Sequence, residues 1–386
     1  MQWKDNTTMR SGRTELEAAA SAIALTTDDV AGEFTLTGDT KRRSDEEISQ
    51  ILADLHFGTI FSDHMAHVTW TVGEGWGERR IEPYGPIELS PAAAILHYGQ
   101  EIFEGLKAYR HADGSLWTFR PQFNAARFNA SARRMAMPEL PVETFLGSLV
   151  DLVRQDAAYV PQLPGALYLR PFMFASEPFL GVRPSHRFEY FVIASPVGAY
   201  FANGFTPVSI WVTKEYHRSG PGGTGDAKTA GNYASSLMPQ QQAADKGFDQ
   251  VCFLDARTQE NLEELGGMNV FVVYRDGHVA TPVLTGTILE GGTRSAIITI
   301  LSEEGVEVEQ RTIPLAELVR DISAGEVSEI FACGTAAVVT PIGRLASDDF
   351  ELQIPSGPVT ERIYERLTSI QSGEAEDPHN WMLKIA

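Results

Sequence analysis

Residues 222–233, Gly-Gly-Thr-Gly-Asp-Ala-Lys-Thr-Ala-Gly-Asn-Tyr, set one lysine, Lys228, among four glycines and end where a helical pattern begins. Glycine lets the backbone take positive φ and approach a ligand closely. A lysine held in such a loop is a phosphate clamp, a Schiff-base amine or a solvated turn residue, and the function turns on which. The phosphate-loop pattern G-x-x-x-x-G-K-[ST], counted from Gly222, needs glycine at 227, where Ala227 stands. No apolar strand ending in an acidic magnesium ligand pairs with it either.

The Schiff-base reading gains from Tyr233, five residues on, and from a second Gly-rich turn, Glu263-Glu264-Leu265-Gly266-Gly267-Met268-Asn269. A pyridoxal phosphate enzyme needs a lysine for the aldehyde, an acidic partner for the pyridine nitrogen, a donor to the ring oxygen and a phosphate cup. Four segments in this order, Leu96-His-Tyr-Gly-Gln-Glu-Ile-Phe-Glu-Gly-Leu-Lys107, Gly225-Asp-Ala-Lys-x-x-Gly-Asn-Tyr233, Glu264-x-Gly-x-Met-Asn269 and Phe331-Ala-Cys-Gly-Thr-Ala336, resemble the branched-chain amino acid aminotransferases. These are fold-type IV pyridoxal phosphate enzymes of the class IV aminotransferase family. The resemblance runs from about Phe57 to Trp381; the first fifty or so residues carry none of it.

Length and composition agree with such an enzyme. The chain has 386 residues, enough for two domains, and 43% are hydrophobic. Thirty-one basic against 51 acidic residues give a net charge of −20, which argues against a nucleic-acid binder with its basic patch. Cys252 and Cys333 are too few and too far apart for a disulfide framework and read as buried thiols. No apolar run reaches the length of a membrane span. Ala18–Leu25 is short and follows Glu15 and Glu17, unlike an export signal. The expectation is a cytoplasmic enzyme with no membrane or nucleic-acid partner and no metal.

The pattern predicts an α/β chain of two domains. Residues 1–46, rich in Thr, Asp, Glu, Ser and Gly, read as an extension that is mobile in its first thirty residues. A smaller α/β domain is expected over 47–198, a link over 199–206 and a larger cofactor-binding domain over 207–386, with the active site between the two. Strands are predicted at Met65–Thr71, Leu116–Phe119, Ala166–Phe172, Phe188–Ser195, Pro207–Thr213, Val251–Leu254, Asn269–Tyr274, 306–313 and Glu329–Ala332. Helices are predicted at Asn124–Met135, Val142–Ala157, 232–247, 292–304 and 314–323, and from about Val359.

The resemblance implies a role for each matched residue. Lys228 binds the cofactor and shuttles the proton. Glu264 partners the pyridine nitrogen, with Glu263 as the register rival, and Tyr233 meets the ring oxygen. Gly292 and Thr293, opening a helix, form the phosphate cup with Thr335 and the cation Arg127; Arg133 and Arg134 compete for that last role on sequence alone. Thr335 and Ala336 offer N–H groups to the substrate α-carboxylate. Phe57, Tyr98, Phe103, Tyr168, Val182 and Tyr200 line an apolar pocket, and Arg170 meets the γ-carboxylate of glutamate. The implied reaction is reversible ping-pong transfer of an amino group from leucine, isoleucine or valine to 2-oxoglutarate by a homodimer. Two relatives from the same family, a D-amino acid aminotransferase and an aminodeoxychorismate lyase, fit the 96–107 segment and Tyr168-x-Arg170 less well. A phosphate-loop nucleotide hydrolase is the rival from another class. The sequence departs from part of the family at Ala337 and Thr340, where some members carry a Cys-x-x-Cys pair. It departs again at Gly267, where some carry threonine.

Overall fold

The computed structural model describes residues 8–9, 14–39, 41–198 and 205–386. Residues 199–204 of the expected link, and with them Tyr200, lie outside the described residues. The chain divides into two compact units. One holds Glu15–Tyr200, Ala227–Ala230 and Ser369–Ala386; the other holds Met1–Thr14, Phe201–Asp226 and Gly231–Thr368. The sequence pattern assigns all of 207–386 to one domain, but Lys228 and the C-terminal segment group with the first unit.

The first unit is built on a sheet ordered Thr35–Leu36, Arg80–Pro83, His64–Thr71, Arg187–Val197, Ala166–Ala175, Leu106–Arg110, Leu116–Phe119, Met382–Lys384. Every pairing along this path is antiparallel except that of Thr35–Leu36 with Arg80–Pro83. The short strand Glu101–Phe103 pairs with Ala166–Ala175 off this path. Helices Pro121–Arg134 and Val142–Gln155 bury Phe128, Phe145, Leu146, Leu149 and Val153 in the sheet's core with Tyr190. The first of them begins at Pro121, earlier than predicted, because proline is preorganised for the first helical position. The expected extension is built into this unit from Glu15 onward. Helix Glu15–Ser21 sets Ala20 against Phe123 and Ala126, Glu17 accepts two bonds of 2.6 Å from Arg120 Nη2, and Val30 and Phe34 are buried.

The second unit carries a mixed sheet ordered Thr8–Met9, Val308–Arg311, Val279–Pro282, Asn269–Tyr274, Val327–Gly334, Val338–Ser347, Val208–Val212, Gln250–Leu254, Leu262–Leu265. Helices Gly292–Glu303 and Leu315–Ala324 contribute Ile297, Leu301 and Leu318 to its buried interior. The helix expected over 232–247 is two helices, Ala230–Ala234 and Leu237–Asp245. Pro239 cannot bond the Ser235 carbonyl and would clash with it in a continuous helix. The Ser235 and Ser236 hydroxyls bond instead to the Asn232 and Tyr233 carbonyls at 2.9 and 2.7 Å. Among the described residues no helix is long and apolar enough to cross a membrane.

Candidate active site

In the first unit, Lys228 sits against strand Glu101–Phe103. The Phe103 N–H donates to the Lys228 carbonyl at 3.0 Å, the Lys228 N–H donates to Ser131 Oγ at 2.9 Å, and the Lys228 Nζ lies 4.7 Å from the centre of the Phe103 ring. The same ring carries the Arg170 guanidinium at 4.7 Å, which also lies 5.3 Å from the Tyr168 ring centre. Arg170 Nη2 donates to the Tyr168 hydroxyl at 2.9 Å, and Tyr168 meets Phe57 edge to face at 5.0 Å. Phe57, Phe103, Tyr168, Arg170 and Lys228 thus form one cluster. Its strands explain it: Tyr168 and Arg170 are two apart on Ala166–Ala175 and share a face.

Two further features shape this cluster. Among the described residues Arg170 Nε is buried without a hydrogen-bond partner, which buried donors ordinarily have. A side-chain carbon on Gly105 would fall 2.1 Å from the Tyr168 hydroxyl, so any other residue there would push the Tyr168 ring end from its place. Next to it the buried Glu104 takes Arg127 Nε and Nη2 at 2.7 Å each, Asn124 Nδ2 at 2.7 Å and the Gly105 N–H at 3.2 Å. Arg127 is therefore held rigidly by a buried carboxylate, and Arg133 pairs instead with the exposed Glu139. Tyr98 and Val182 stand elsewhere on the unit. Both are exposed, and the Tyr98 hydroxyl donates to the Leu180 carbonyl.

Sequence reasoning missed Glu101. It lies two residues before Phe103 on the same strand, and that spacing was the available signal. Burial pushes its carboxyl up to about 7, against the opposing pull of the Ala230 N–H, Arg170 and Lys228. Lys107, also missed, is buried, and burial pushes its ammonium down to about 8.

In the second unit, Glu263 and Glu264 lie on strand Leu262–Leu265 rather than in a turn, and both are buried. Two adjacent glutamates break the apolar alternation by which a strand is read. Glu264 Oε1 accepts from Arg218 Nη1 and from the Leu289 N–H, both at 2.9 Å. Glu263 accepts from the Thr287 hydroxyl, and burial is the main cause that raises its carboxyl above the ordinary range. Arg218, which sequence reasoning did not name, also donates to the Thr287 carbonyl at 2.9 Å and to the Gly225 carbonyl. A side-chain carbon on Gly225 would fall 2.3 Å from the Thr287 carbonyl, which accounts for that glycine of the 222–225 stretch.

Short contacts connect the remaining expected residues of this unit. The Tyr233 ring lies 4.0 Å from where a carbon on Gly267 would stand, and one on Gly334 would meet the Gly267 carbonyl at 3.5 Å. Thr335 and Ala336 follow Gly334 in the turn between Val327–Gly334 and Val338–Ser347. Val338, β-branched, closes that turn at φ 60°, a conformation held against strain. Asn269 Nδ2 donates to the Leu289 carbonyl at 3.0 Å. Its Oδ1 would meet a carbon on Gly291 at 2.1 Å, so Asn269 backs the start of helix Gly292–Glu303, where Gly292 and Thr293 supply first-turn N–H groups. A buried carboxylate fixed by arginine, a tyrosine and a helix N-terminus make up the donor set that a phosphorylated pyridine needs, so the residues present fit pyridoxal phosphate.

The amino-transferase class IV family model matches residues 101–345. The chain belongs to the class IV aminotransferases. It is 49% identical over 361 residues to a branched-chain-amino-acid aminotransferase of Mycolicibacterium smegmatis, covering 92% of this chain and 98% of that one. It is 51% identical over 348 residues to a probable branched-chain-amino-acid aminotransferase of Streptomyces coelicolor, covering 89% and 96%. The fold is that of this family. The branched-chain amino acid aminotransferase of Escherichia coli superposes with a TM-score of 0.69 at 28% identity, covering 83% of this chain and 100% of that one. The enzyme from Thermoproteus uzoniensis with norvaline superposes at 0.70 and 26% identity, with the same coverage. Another branched-chain amino acid aminotransferase, solved with pyridoxamine 5'-phosphate, superposes at 0.68 and 27% identity, covering 83% and 99%.

Proposed function

We propose that this chain is a pyridoxal phosphate-dependent branched-chain-amino-acid aminotransferase. It moves the amino group of leucine, isoleucine or valine to 2-oxoglutarate, reversibly and by a ping-pong course, giving branched 2-oxo acids and glutamate. The observation that carries the reading is the pair of rings Phe103 and Tyr168 around one guanidinium, Arg170, with Phe57 packed on Tyr168 and the buried Arg170 Nε without a partner among the described residues. The three rings suit a branched apolar side chain, and the guanidinium suits the γ-carboxylate of the second substrate.

When bound, the cofactor supplies an aldehyde for the amino group and an electron sink for the Cα carbanion. Lys228 Nζ takes the proton from the substrate Cα and returns it on the other side of the exchange. Glu264, fixed by Arg218 and the Leu289 N–H, holds the proton on the ring nitrogen, and Tyr233 donates to the ring oxygen. Arg127, steadied by Glu104, shares the phosphate with Thr335 and the N–H groups of Gly292 and Thr293. The Thr335 and Ala336 N–H groups hold the α-carboxylate. By the family resemblance Tyr98, Val182 and Tyr200 also belong to the apolar pocket, part of which a second copy would close. The enzyme works as a homodimer, a reading supported by the exposed Tyr98, Leu180 and Val182, which a second copy would cover. It works in the cytoplasm, where its two buried free thiols suit a reducing medium.

Amino-donor specificity with 2-oxoglutarate as acceptor tests this function. Leucine, isoleucine and valine should each support turnover, with D-alanine inactive. Turnover of D-alanine alone, or of none of the four, would reject it.

A further inference from the structure

Strand Glu101–Phe103 is paired on one side with Ala166–Ala175, Glu101 opposite Phe174 and Phe103 opposite Phe172. Its other edge is taken by the three residues that begin at Lys228. The Phe103 N–H bonds the Lys228 carbonyl at 3.0 Å, the Thr229 hydroxyl bonds the Glu101 carbonyl at 2.6 Å, and the Ala230 N–H bonds Glu101 Oε2 at 3.0 Å. With Ser131 on its N–H, Lys228 is fixed at both main-chain polar atoms, and Glu101 makes two of the three bonds from the strand.

A glutamine would accept the Ala230 N–H as well as a carboxylate does, without the cost of desolvating a charge. A carboxyl can carry a negative charge where an amide cannot, and this one stands on the strand whose free edge Lys228 and its two successors take. Of the other elements packed against it, helix Pro121–Arg134 presents the neutral Ser131 and an Arg127 already engaged by Glu104. A half-buried acid on the strand whose edge carries the reacting amine is the arrangement in which functional groups are tuned.

We propose that Glu101 is a positioning residue for Lys228: its carboxyl fixes the main chain of residues 228–230 through the Ala230 N–H and puts a titratable group on the strand that carries Lys228 at its edge, so that the amine stays at the reacting carbon through both half-reactions. The inference rests on the assignment of Lys228 above and deepens it.

The test compares full-length holoenzyme as wild type, Glu101→Gln and Glu101→Ala. Hydrogen exchange of the peptide spanning 226–233 reads the main-chain brace, and single-turnover rates with leucine across pH read the charge. Glu101→Ala should speed exchange of that peptide roughly tenfold by opening the Ala230 bond. Glu101→Gln should leave exchange within about twofold of wild type, since it keeps an acceptor. It should nevertheless slow the leucine half-reaction roughly ten- to a hundredfold, because the titrating charge is lost while the brace is kept, and shift the acidic limb of its pH profile. Wild-type rates and an unmoved pH profile in Glu101→Gln would overturn the role of the charge, and unchanged exchange in Glu101→Ala would overturn the brace. Should the alanine variant not fold, the glutamine variant alone decides. A wild type that transfers nothing from leucine would overturn the functional reading instead, and the exchange comparison would still report on the brace.

Discussion

Replacing Arg170 by methionine separates the two substrates that one pocket must serve. The guanidinium lies over two rings, at 4.7 Å from Phe103 and 5.3 Å from Tyr168; its Nη2 bonds the Tyr168 hydroxyl at 2.9 Å, and its buried Nε has no partner among the described residues. Methionine fills much of the same apolar volume and tolerates aromatic neighbours. It gives up one hydrogen bond and the two ring contacts but also removes an unsatisfied buried donor, each change worth about 1 kcal/mol. The variant should therefore fold, with Tm within about 3 °C of wild type. A charge-assisted contact from this group to a γ-carboxylate is worth on the order of 1.5–3 kcal/mol, or roughly ten- to a hundredfold in kcat/KM. Stopped-flow absorbance of the cofactor follows each half-reaction separately. The glutamate half-reaction should fall by that factor, while leucine stays within about threefold because it contributes no second carboxylate. Equal losses for both substrates would mean that Arg170 holds the shared α-carboxylate or the fold itself, and the dual-substrate reasoning would fail.

Two further outcomes follow from named geometry. Glu264→Gln should lower kcat by about a hundredfold or more, the scale of lost catalytic proton or charge placement; if steady-state assays find that loss in Glu263→Gln and not in Glu264→Gln, the register is off by one. His67 sits between Glu189 at 3.0 Å and Glu82 at 2.9 Å. Burial opposes its charge, but bonds to the two carboxylates outweigh burial and hold it above its ordinary 6.5. A raised histidine stabilises the fold fully below that value and loses its contribution as pH rises through the folded-state value. Thermal melts should therefore show His67→Gln more destabilised at pH 6 than at pH 9, and a pH-independent difference would contradict the ion pairs.

Much of the candidate site was legible because its residues sit in short motifs with local chemical meaning. Lys228 stands out among glycines, and Phe103 with Tyr168 and Arg170 alternates on apolar strands whose period is readable. The strands Leu116–Phe119 and Asn269–Tyr274 match their expected bounds, because each is a compact apolar run beside a turn. Other features resisted reading for physical reasons. Strand Val338–Ser347 contains Pro341 and Gly343, which read as breaks. Glu101, half-buried, and Glu264, buried, are acids on strands, and an acid ordinarily signals a surface or a turn. Their acceptability depends on partners distant in sequence, Arg218 for Glu264 and the 228–230 segment for Glu101. The same holds for Glu104, whose worth lies in Arg127. A single sequence names the chemical groups, but only the packed chain shows which of them are paired.

The most direct test of the whole reading is to reduce the holoenzyme with borohydride and locate the cofactor by peptide mass mapping. The decisive rival is Lys107, whose ammonium burial pushes down to about 8 and which on acidity alone would make a competent Schiff-base amine. Geometry favours Lys228, held at both main-chain atoms with its amine over Phe103 beside Arg170. The cofactor mass should appear on the peptide containing Lys228 and vanish in Lys228→Ala, with the fold retained. Cofactor mass on Lys107, Lys214 or Lys246 instead would contradict the account.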